Sequence, residues 1–352
     1  MSRYFTRDLR PYVPGEQPED LSRFVKLNTN ENPYPPSEKA LAYAREHCRA
    51  LNLYSDLSAR ELRAALAAEV GLEPENVLLS NGSDELLYFA FLAFCSAQRG
   101  AVFPDISYGF YPVFARLCGI PYREVPLRSD LSIAPEDYFD RHELVVLANP
   151  NAPTGLLLGP EDIRAILERN RDSVVLIDEA YIDFGGLSCA GLVREYDNLL
   201  VARTFSKSRS MAGARLGYAY GSAALIGDLE TVRYSVNPYN VNSYTLALGL
   251  GTVLDGDYTR DRCRDIQETR GYTIQMLEHR GFAVLPSAAN FIFARHPDIP
   301  GAALYAALKA RGVLVRHFDK PRITDYNRIT IGTRAQMDAL LAAVDEIVRT
   351  ER

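Results

Sequence analysis

The amino-acid sequence predicts an α/β protein with a three-layer large domain, built on a mainly parallel sheet, and a smaller α+β domain. Two features of the 352-residue chain predict this class. From Val77 onward, short apolar runs of strand length alternate with helical patterns, which is typical of a parallel sheet covered by helices. After Pro297 a fresh helix-and-strand pattern begins. We therefore expect a large domain over residues 37–255 and a small domain over residues 256–352.

The preceding arm, residues 1–36, is rich in proline, asparagine and charged residues and lacks a sustained hydrophobic period. Such a segment needs another surface to order it, and we expect it to contribute to the small domain and to a dimer partner. Helical spacing of apolar residues then covers 37–50 and 58–70. The second stretch opens with Ser58-Ala-Arg-Glu61, which matches a capping box and predicts that Ser58 caps this helix.

Apolar runs predict the strands of the large sheet, and the C-terminal third adds a helix and two strands. The runs of the large sheet are 77–80, 100–103, 143–148, 174–178, 199–204 and 216–220. The later elements are a helix at 301–311 and strands at 313–316 and 328–331.

The composition favours a cytoplasmic protein without a metal, a membrane or a nucleic acid as partner. The five cysteines are scattered without C-x-x-C spacing, and the five histidines show no paired ligand spacing. No apolar stretch reaches the roughly 18 residues of a spanning helix, and the N-terminus lacks the apolar run of a signal peptide. The net charge of −6, without a block of basic residues, argues against nucleic-acid binding.

Lys207 follows the apolar run 199–204 and precedes Arg215. A lysine amine can bond covalently to an aldehyde, while the hydroxyls of Thr204 and Ser206 and the Arg215 guanidinium suit a phosphate monoester. An aldehyde that carries a phosphate describes pyridoxal 5'-phosphate (PLP). A solvated turn would produce the same short serine-lysine run, so this interpretation depends on the other segments.

Asp178 ends the run 174–178, at the edge of a parallel sheet where ligands bind. A carboxylate there would keep a pyridine nitrogen protonated. Ser80-Asn-Gly-Ser-Asp84 follows another predicted strand and opens a helix, where backbone N–H groups and the helix dipole attract a phosphate. A plain helix cap would account for that pentapeptide equally well.

These segments, in this order and spacing, resemble the fold-type I PLP-dependent aminotransferases, and more narrowly the histidinol-phosphate aminotransferase group. The resemblance covers nearly the whole chain. Its narrower marks are Arg10-Pro-Tyr-Val-Pro-Gly15, Lys26-Leu-Asn-Thr-Asn-Glu-Asn-Pro33, Ser80-Asn-Gly-Ser-Asp84, Asp178-Glu-Ala-Tyr181, Thr204-Phe-Ser-Lys207 and Arg328-Ile-Thr-Ile-Gly-Thr333.

The resemblance implies a role for each cofactor-binding residue. Lys207 would bond to the aldehyde carbon and Asp178 would hold the ring nitrogen. Tyr181 would bond the ring oxygen and Tyr108 would stack on the ring. The residues implied around the phosphate are Gly82, Ser83, Asp84, Thr204, Ser206, Arg215 and, from a neighbouring subunit, Tyr54. The active site would then require a homodimer.

One position departs from the family pattern. The family usually places an asparagine immediately before Pro-Thr-Gly to bond the ring oxygen, and this chain has Ala152 there. The neighbouring Asn151 is the candidate to replace that donor, and Tyr181 would carry more of the oxygen's stabilisation.

The resemblance also implies a substrate site. Arg316 and Arg328 match the family's anion-binding arginines, aided by Tyr12 from the partner's arm and by Asn30. The implied reaction transfers an amino group between L-histidinol phosphate and 2-oxoglutarate, a step of histidine synthesis.

Three other functions stay open. An aromatic amino acid aminotransferase and a phosphothreonine decarboxylase would share the lysine, the aspartate and the phosphate cradle. A PLP-binding sensor domain of a transcription regulator would carry a DNA-binding module. The first 36 residues are too short and too poor in helical pattern to form such a module.

Overall fold

The computed structural model describes residue 9 and residues 11–350, and its order of elements gives an α/β protein. The strands are β1 (Val25–Lys26), β2 (Val77–Ser80), β3 (Ala101–Pro104), β4 (Tyr122–Val125), β5 (Leu144–Ala148), β6 (Val175–Asp178), β7 (Leu199–Thr204), β8 (Gly217–Gly221), β9 (Ala283–Val284), β10 (Phe291–Arg295), β11 (Val313–Leu314), β12 (Arg316–His317) and β13 (Asn327–Thr330). The helices are α1 (Glu38–His47), α2 (Arg60–Val70), α3 (Ser83–Phe94), α4 (Tyr111–Cys118), α5 (Pro160–Arg169), α6 (Ala223–Val236), α7 (Ser243–Leu254), α8 (Gly256–Glu278), α9 (Gly301–Ala310) and α10 (Arg334–Thr350).

A seven-stranded sheet forms the middle layer of the large domain, in the order β2-β8-β7-β6-β5-β3-β4. Neighbouring strands run parallel except at β8, which is antiparallel to both β2 and β7. Successive side chains of a strand point to opposite faces, so Val175 and Ile177 join one apolar core while Leu176 joins the other. Helices α1, α2, α5 and α7 cover the first face, and α3, α4 and α6 cover the second. This arrangement confirms the predicted fold class.

The small domain contains a four-stranded sheet in the order β12-β13-β10-β9, whose paired strands are antiparallel. Helices α8, α9 and α10 supply most of the helical side chains of its core. The N-terminal segment joins this domain through β1, which pairs in parallel with β11. Leu27, just after β1, is buried in the same core.

Local details differ from the sequence-based expectations. The capping box at Ser58 is wrong: α2 begins at Arg60, and Ala59 at its N-cap makes no side-chain bond to the helix. The Ser58 hydroxyl instead donates to the Asp56 carboxylate, at 2.8 Å, in the turn before the helix. Strand β4 and the long helix α8 were not predicted, because β4 is a partly exposed edge strand and α8 is dense in charged residues.

Within the described part of the chain, no helix is both long enough and apolar enough to cross a membrane.

Candidate active site

A cavity of about 350 Å³ lies at the carboxyl ends of β5, β6 and β7, where Ala148, Asp178 and Thr204 form part of its wall. Parallel strands present their carboxyl ends at one edge of the sheet, so this is the expected place for a ligand in an α/β fold. The wall includes these residues proposed from the sequence: Ser83, Asp84, Tyr108, Asp178, Tyr181, Thr204, Ser206, Lys207 and Arg215.

Lys207 lies in the loop after β7 and lines the cavity. The amine donates to the Thr29 carbonyl oxygen at 3.2 Å and lies 5.8 Å from the centre of the Tyr181 ring. Asn32 holds the loop in place by donating to the carbonyl oxygens of Lys207 and Ser208, at 2.9 and 3.2 Å. Burial, assisted by the Arg328 cation, lowers the pKa of Lys207 from 10.5 to about 8. At pH 7 such a pKa leaves about a tenth of the amine neutral and nucleophilic, far more than an ordinary lysine offers.

Asp178 is the buried last residue of β6. One carboxylate oxygen accepts the Ala180 N–H at 3.1 Å, and the other accepts the Tyr111 hydroxyl at 2.8 Å. Burial raises the pKa of Asp178 to about 6, and the nearby carboxylates of Asp84 and Glu179 act in the same direction. A buried carboxylate with negative neighbours is well suited to a cation supplied by a ligand.

Gly82, Gly217 and Arg215 form a close-packed cradle at the N-terminus of α3. Gly82 has φ +76°, and a Cβ on it would lie 2.5 Å from a guanidinium nitrogen of Arg215. A Cβ on Gly217 would lie 2.5 Å from the backbone of Gly82 and Ser83. The two glycines therefore let a guanidinium approach the first free N–H groups of the helix, which is a suitable arrangement for an anion.

Arg215 has only weak partners within the described chain. Its guanidinium lies 3.4 Å from both the Ser206 hydroxyl and the Asp84 carboxylate, at the long limit of hydrogen bonding. The other oxygen of Asp84 accepts the Tyr108 hydroxyl at 2.8 Å. The Asp84 carboxylate therefore orients Tyr108, and only the backbone N–H of Asp84 is available to an anion.

Tyr181 follows β6 and lines the cavity together with Tyr108. Its hydroxyl accepts a hydrogen bond of 3.0 Å from the Asn30 amide, and its ring meets Phe291 edge-on at 5.0 Å. Burial raises the pKa of Tyr181, so its hydroxyl keeps its proton and can donate into the cavity. Asn30 has a positive φ of +57° and forms two hydrogen bonds with the Thr330 hydroxyl. These bonds connect the Asn30–Tyr181 contact to the small domain.

A second cavity of about 770 Å³ adjoins the first and shares Lys207, Tyr108 and Tyr181 with it. The residues proposed for substrate binding all line it: Tyr12, Asn30, Arg316 and Arg328. In the pairing of β12 with β13, Arg316 and Arg328 are direct partners. Their guanidinium groups donate to carbonyl oxygens of the N-terminal segment, at 3.0 and 3.1 Å from Arg316 and 2.9 Å from Arg328. Within the described residues, the buried Nε of Arg328 has no partner, which suits this pair to an anionic group.

One sequence-based assignment changes in position. Tyr12 was expected from a partner's arm, but it lies over the cavity of its own chain, stacked on Phe110 with ring centres 4.4 Å apart. Tyr54, which was expected to act from a neighbouring subunit, lines neither cavity of its own chain: it is 80% exposed and stacks on Tyr239 at 4.2 Å, and its role stays a prediction.

The structure also corrects the proposal for Asn151. The Asn151 amide donates to the Ile106 carbonyl and the Thr154 hydroxyl, at 3.0 and 3.1 Å, and its oxygen accepts the Ser107 hydroxyl at 2.8 Å. These bonds tie it into the loop, and Ala152 forms the cavity wall instead.

Two residues beside the cavity were missed by the sequence reasoning. Tyr111 donates to Asp178, and Thr29 accepts from Lys207 through its carbonyl oxygen. Tyr111 carries a weak signal, because it comes three positions after Tyr108, but the chain has 21 tyrosines. The Thr29 contact is made by backbone, so the residue type gives no signal at all.

Comparison with known proteins identifies the family to which this fold and site belong. The sequence pattern of the family described as "Aminotransferase class I and II" matches residues 22–344. The chain belongs to this family.

The chain is also similar over nearly its full length to two proteins named as histidinol-phosphate aminotransferases. It is 49% identical over 343 residues to "Histidinol-phosphate aminotransferase 1" of Methylococcus capsulatus, covering 97% of the chain and 96% of that protein. It is 46% identical over 339 residues to "Histidinol-phosphate aminotransferase" of Acinetobacter baylyi, covering 95% of the chain and 94% of that protein. These similarities confirm the resemblance on which the site residues were first proposed.

A solved structure agrees with this fold. The histidinol-phosphate aminotransferase from Sinorhizobium meliloti, in complex with pyridoxal-5'-phosphate, superposes with a TM-score of 0.89 at 25% identity. The match covers 100% of this chain and 99% of that one.

Proposed function

We propose that the chain is a PLP-dependent aminotransferase that converts L-histidinol phosphate and 2-oxoglutarate into imidazole acetol phosphate and L-glutamate. The observation that carries the proposal is the junction of the two cavities at Lys207. One cavity offers the groups that PLP needs, and the other ends in the paired guanidinium groups of Arg316 and Arg328. A substrate with an amine at one end and a phosphate at the other would span them.

The residues present fit the cofactor. Bound PLP supplies an electron-withdrawing ring that stabilises negative charge on the substrate carbon bearing the amine. Asp178 would accept the ring N–H, Tyr181 would donate to the ring oxygen, and Tyr108 would cover one face. The cradle that an added Cβ would fill is the phosphate site. The proposed phosphate ligands are the N–H groups of Ser83 and Asp84, the hydroxyls of Thr204 and Ser206, and the Arg215 guanidinium. Gly82 contributes by having no side chain to displace that guanidinium.

Lys207 is the proposed base. Its neutral amine would take the proton from the substrate carbon that bears the amino group and deliver it to the cofactor side. The lowered pKa of Lys207, about 8, keeps that amine available near neutral pH. Arg316 and Arg328 would bind the substrate's phosphate, or a carboxylate of glutamate, and so fix the reacting carbon beside the lysine.

We propose a homodimer in which Tyr54 reaches the phosphate site of the partner. The support is a surface segment in which Leu51, Leu53 and Tyr54 are 70%, 65% and 80% exposed, a concentration of apolar area that favours a protein contact. The five cysteines are all free thiols, which favours a reducing compartment, and we propose the cytoplasm.

A half-reaction screen tests the substrate. The purified PLP form is mixed with histidinol phosphate, phenylalanine, tyrosine or phosphothreonine, and the loss of visible cofactor absorbance is followed. We expect histidinol phosphate to react with the highest kcat/KM, because it alone combines the amine and imidazole with a phosphate for the arginine pair. Equal or faster reaction of an aromatic amino acid would overturn this assignment. Release of carbon dioxide from phosphothreonine would favour the decarboxylase, and no reaction with any amine would favour a PLP-binding sensor.

A further inference from the structure

We infer that Tyr111 is a positioning residue, whose hydroxyl keeps Asp178 ionised and aimed at the ring nitrogen of the cofactor. The inference rests on the proposed function of Asp178 and adds to it a residue that touches neither cofactor nor substrate.

The geometry leaves the Tyr111 hydroxyl in a fixed position. Tyr111 is the first residue of α4 and is 0% exposed. The centre of its ring lies 5.6 Å from that of Phe103 and 5.6 Å from that of Tyr108. The Tyr108 and Tyr111 rings meet edge-on, with an interplanar angle of 82°. From there its hydroxyl donates to Asp178 Oδ2 at 2.8 Å. A carboxylate has no proton to give, so the hydrogen bond favours the ionised form of Asp178.

Burial and the charged groups around Asp178 oppose its ionisation. Asp84 and Glu179 are carboxylates that raise its pKa, and the Tyr181 hydroxyl stays neutral. Within the described part of the chain, the Ala180 N–H is the one other donor to this carboxylate, at 3.1 Å. Loss of the Tyr111 hydroxyl therefore leaves one donor against burial and two negative charges.

The same residue also fixes the ring-stacking face of the site. Tyr108 contacts the Tyr111 ring, and its own hydroxyl donates to Asp84. The Tyr111 side chain thus contacts both Asp178, the proposed partner of the ring nitrogen, and Tyr108, the proposed stacking residue.

The test is the affinity of the apoprotein for PLP as a function of pH, measured by fluorescence titration from pH 6 to pH 9 in wild type and Tyr111→Phe. The substitution keeps the ring and removes only the hydroxyl. We expect the pKa of Asp178 to rise by about one pH unit, since a charge-assisted hydrogen bond is lost. PLP should then bind about as well as in wild type at pH 9, about twofold more weakly at pH 7 and about fivefold more weakly at pH 6. The titration of PLP itself is common to both proteins and cancels in the ratio.

Two control variants make the outcome decisive. Tyr220→Phe removes another buried hydroxyl, which donates to the Leu66 carbonyl at 2.9 Å and lines neither cavity, and its affinity ratio should stay at one across the range. Asp178→Asn cannot titrate at this position and should lose the pH dependence assigned to it. Thermal unfolding of each apoprotein checks that it is folded.

The outcomes separate the two proposals. A ratio for Tyr111→Phe that is the same at every pH, including a ratio of one, would overturn the role of Tyr111. If Asp178→Asn keeps the full pH dependence of wild type, the carboxylate does not serve the ring nitrogen, and the proposed function of Asp178 fails independently.

Discussion

Replacing Gly82 with alanine should weaken cofactor binding by displacing Arg215. Gly82 has φ +76° and ψ 161°, a region that is almost restricted to glycine, so the new side chain costs about 1–3 kcal/mol of backbone strain. The added Cβ would also lie 2.5 Å from Arg215 Nη2 and 3.0 Å from its Cζ. The guanidinium is the far end of a flexible side chain, so it would move aside. A hydrogen bond to a charged group contributes about 1.5–3 kcal/mol, and its loss corresponds to about 10- to 150-fold in affinity.

The assay separates the displaced guanidinium from backbone strain. PLP affinity is measured on the apoprotein by equilibrium titration, and stability by chemical denaturation. Gly119→Ala is the matched control, because Gly119 also has a positive φ, +68°, but an added Cβ there would meet nothing within 4 Å. We expect both variants to lose stability and only Gly82→Ala to lose PLP affinity. A folded Gly82→Ala protein that binds PLP within twofold of wild type would refute the placement of Arg215 at the phosphate.

Further predictions concern the lysine and the arginine pair. Lys207→Ala should lose turnover entirely while the apoprotein still binds PLP noncovalently; turnover at the wild-type rate would remove Lys207 from the mechanism. Because the pKa of Lys207 is lowered to about 8, the rate of covalent PLP attachment to the apoprotein should rise with pH and level off above that value. A rate that keeps rising to about pH 10 would indicate an ordinary lysine. Arg328→Lys should reduce kcat/KM for histidinol phosphate at least about tenfold, since the ammonium cannot reproduce bidentate binding, and should affect cofactor absorbance little. An equal loss for amines that carry no second anionic group would contradict anion binding by this pair.

The sequence predicted best those parts of the site that lie at the ends of buried strands. Asp178 ends an otherwise apolar strand, and Lys207 follows a strand whose first four residues are apolar, so a polar residue at that end of the sheet has few interpretations. Six of the seven strands of the large-domain sheet were recognised from such apolar runs, whereas the buried strand β10 of the small-domain sheet was not predicted. The edge strand β4 was missed, because its charged and partly exposed residues carry neither a continuous apolar run nor a clean alternation.

Side-chain direction was much less predictable. Asn151 is adjacent to the cavity wall in sequence, yet its amide is used by the Ile106 carbonyl and the Thr154 hydroxyl. A one-residue shift along a loop changes which side chain faces the ligand, and no local pattern reports that shift. Tyr12 raises a related problem, since a segment without a hydrophobic period of its own gives no signal of which surface its aromatic ring packs on.

The position of the Arg316–Arg328 pair has a consequence for the length of substrate that the site accepts. Both arginines belong to the small-domain sheet, whereas Lys207 belongs to a loop of the large-domain sheet. In the proposed function, the two ends of a substrate are therefore held by separate bodies of the protein, and the packing of those bodies sets the gap that the substrate must bridge. The enzyme would therefore select substrates by length. A molecule one bond too short or too long could place its anion at the arginine pair or its amine at Lys207, but not both at once.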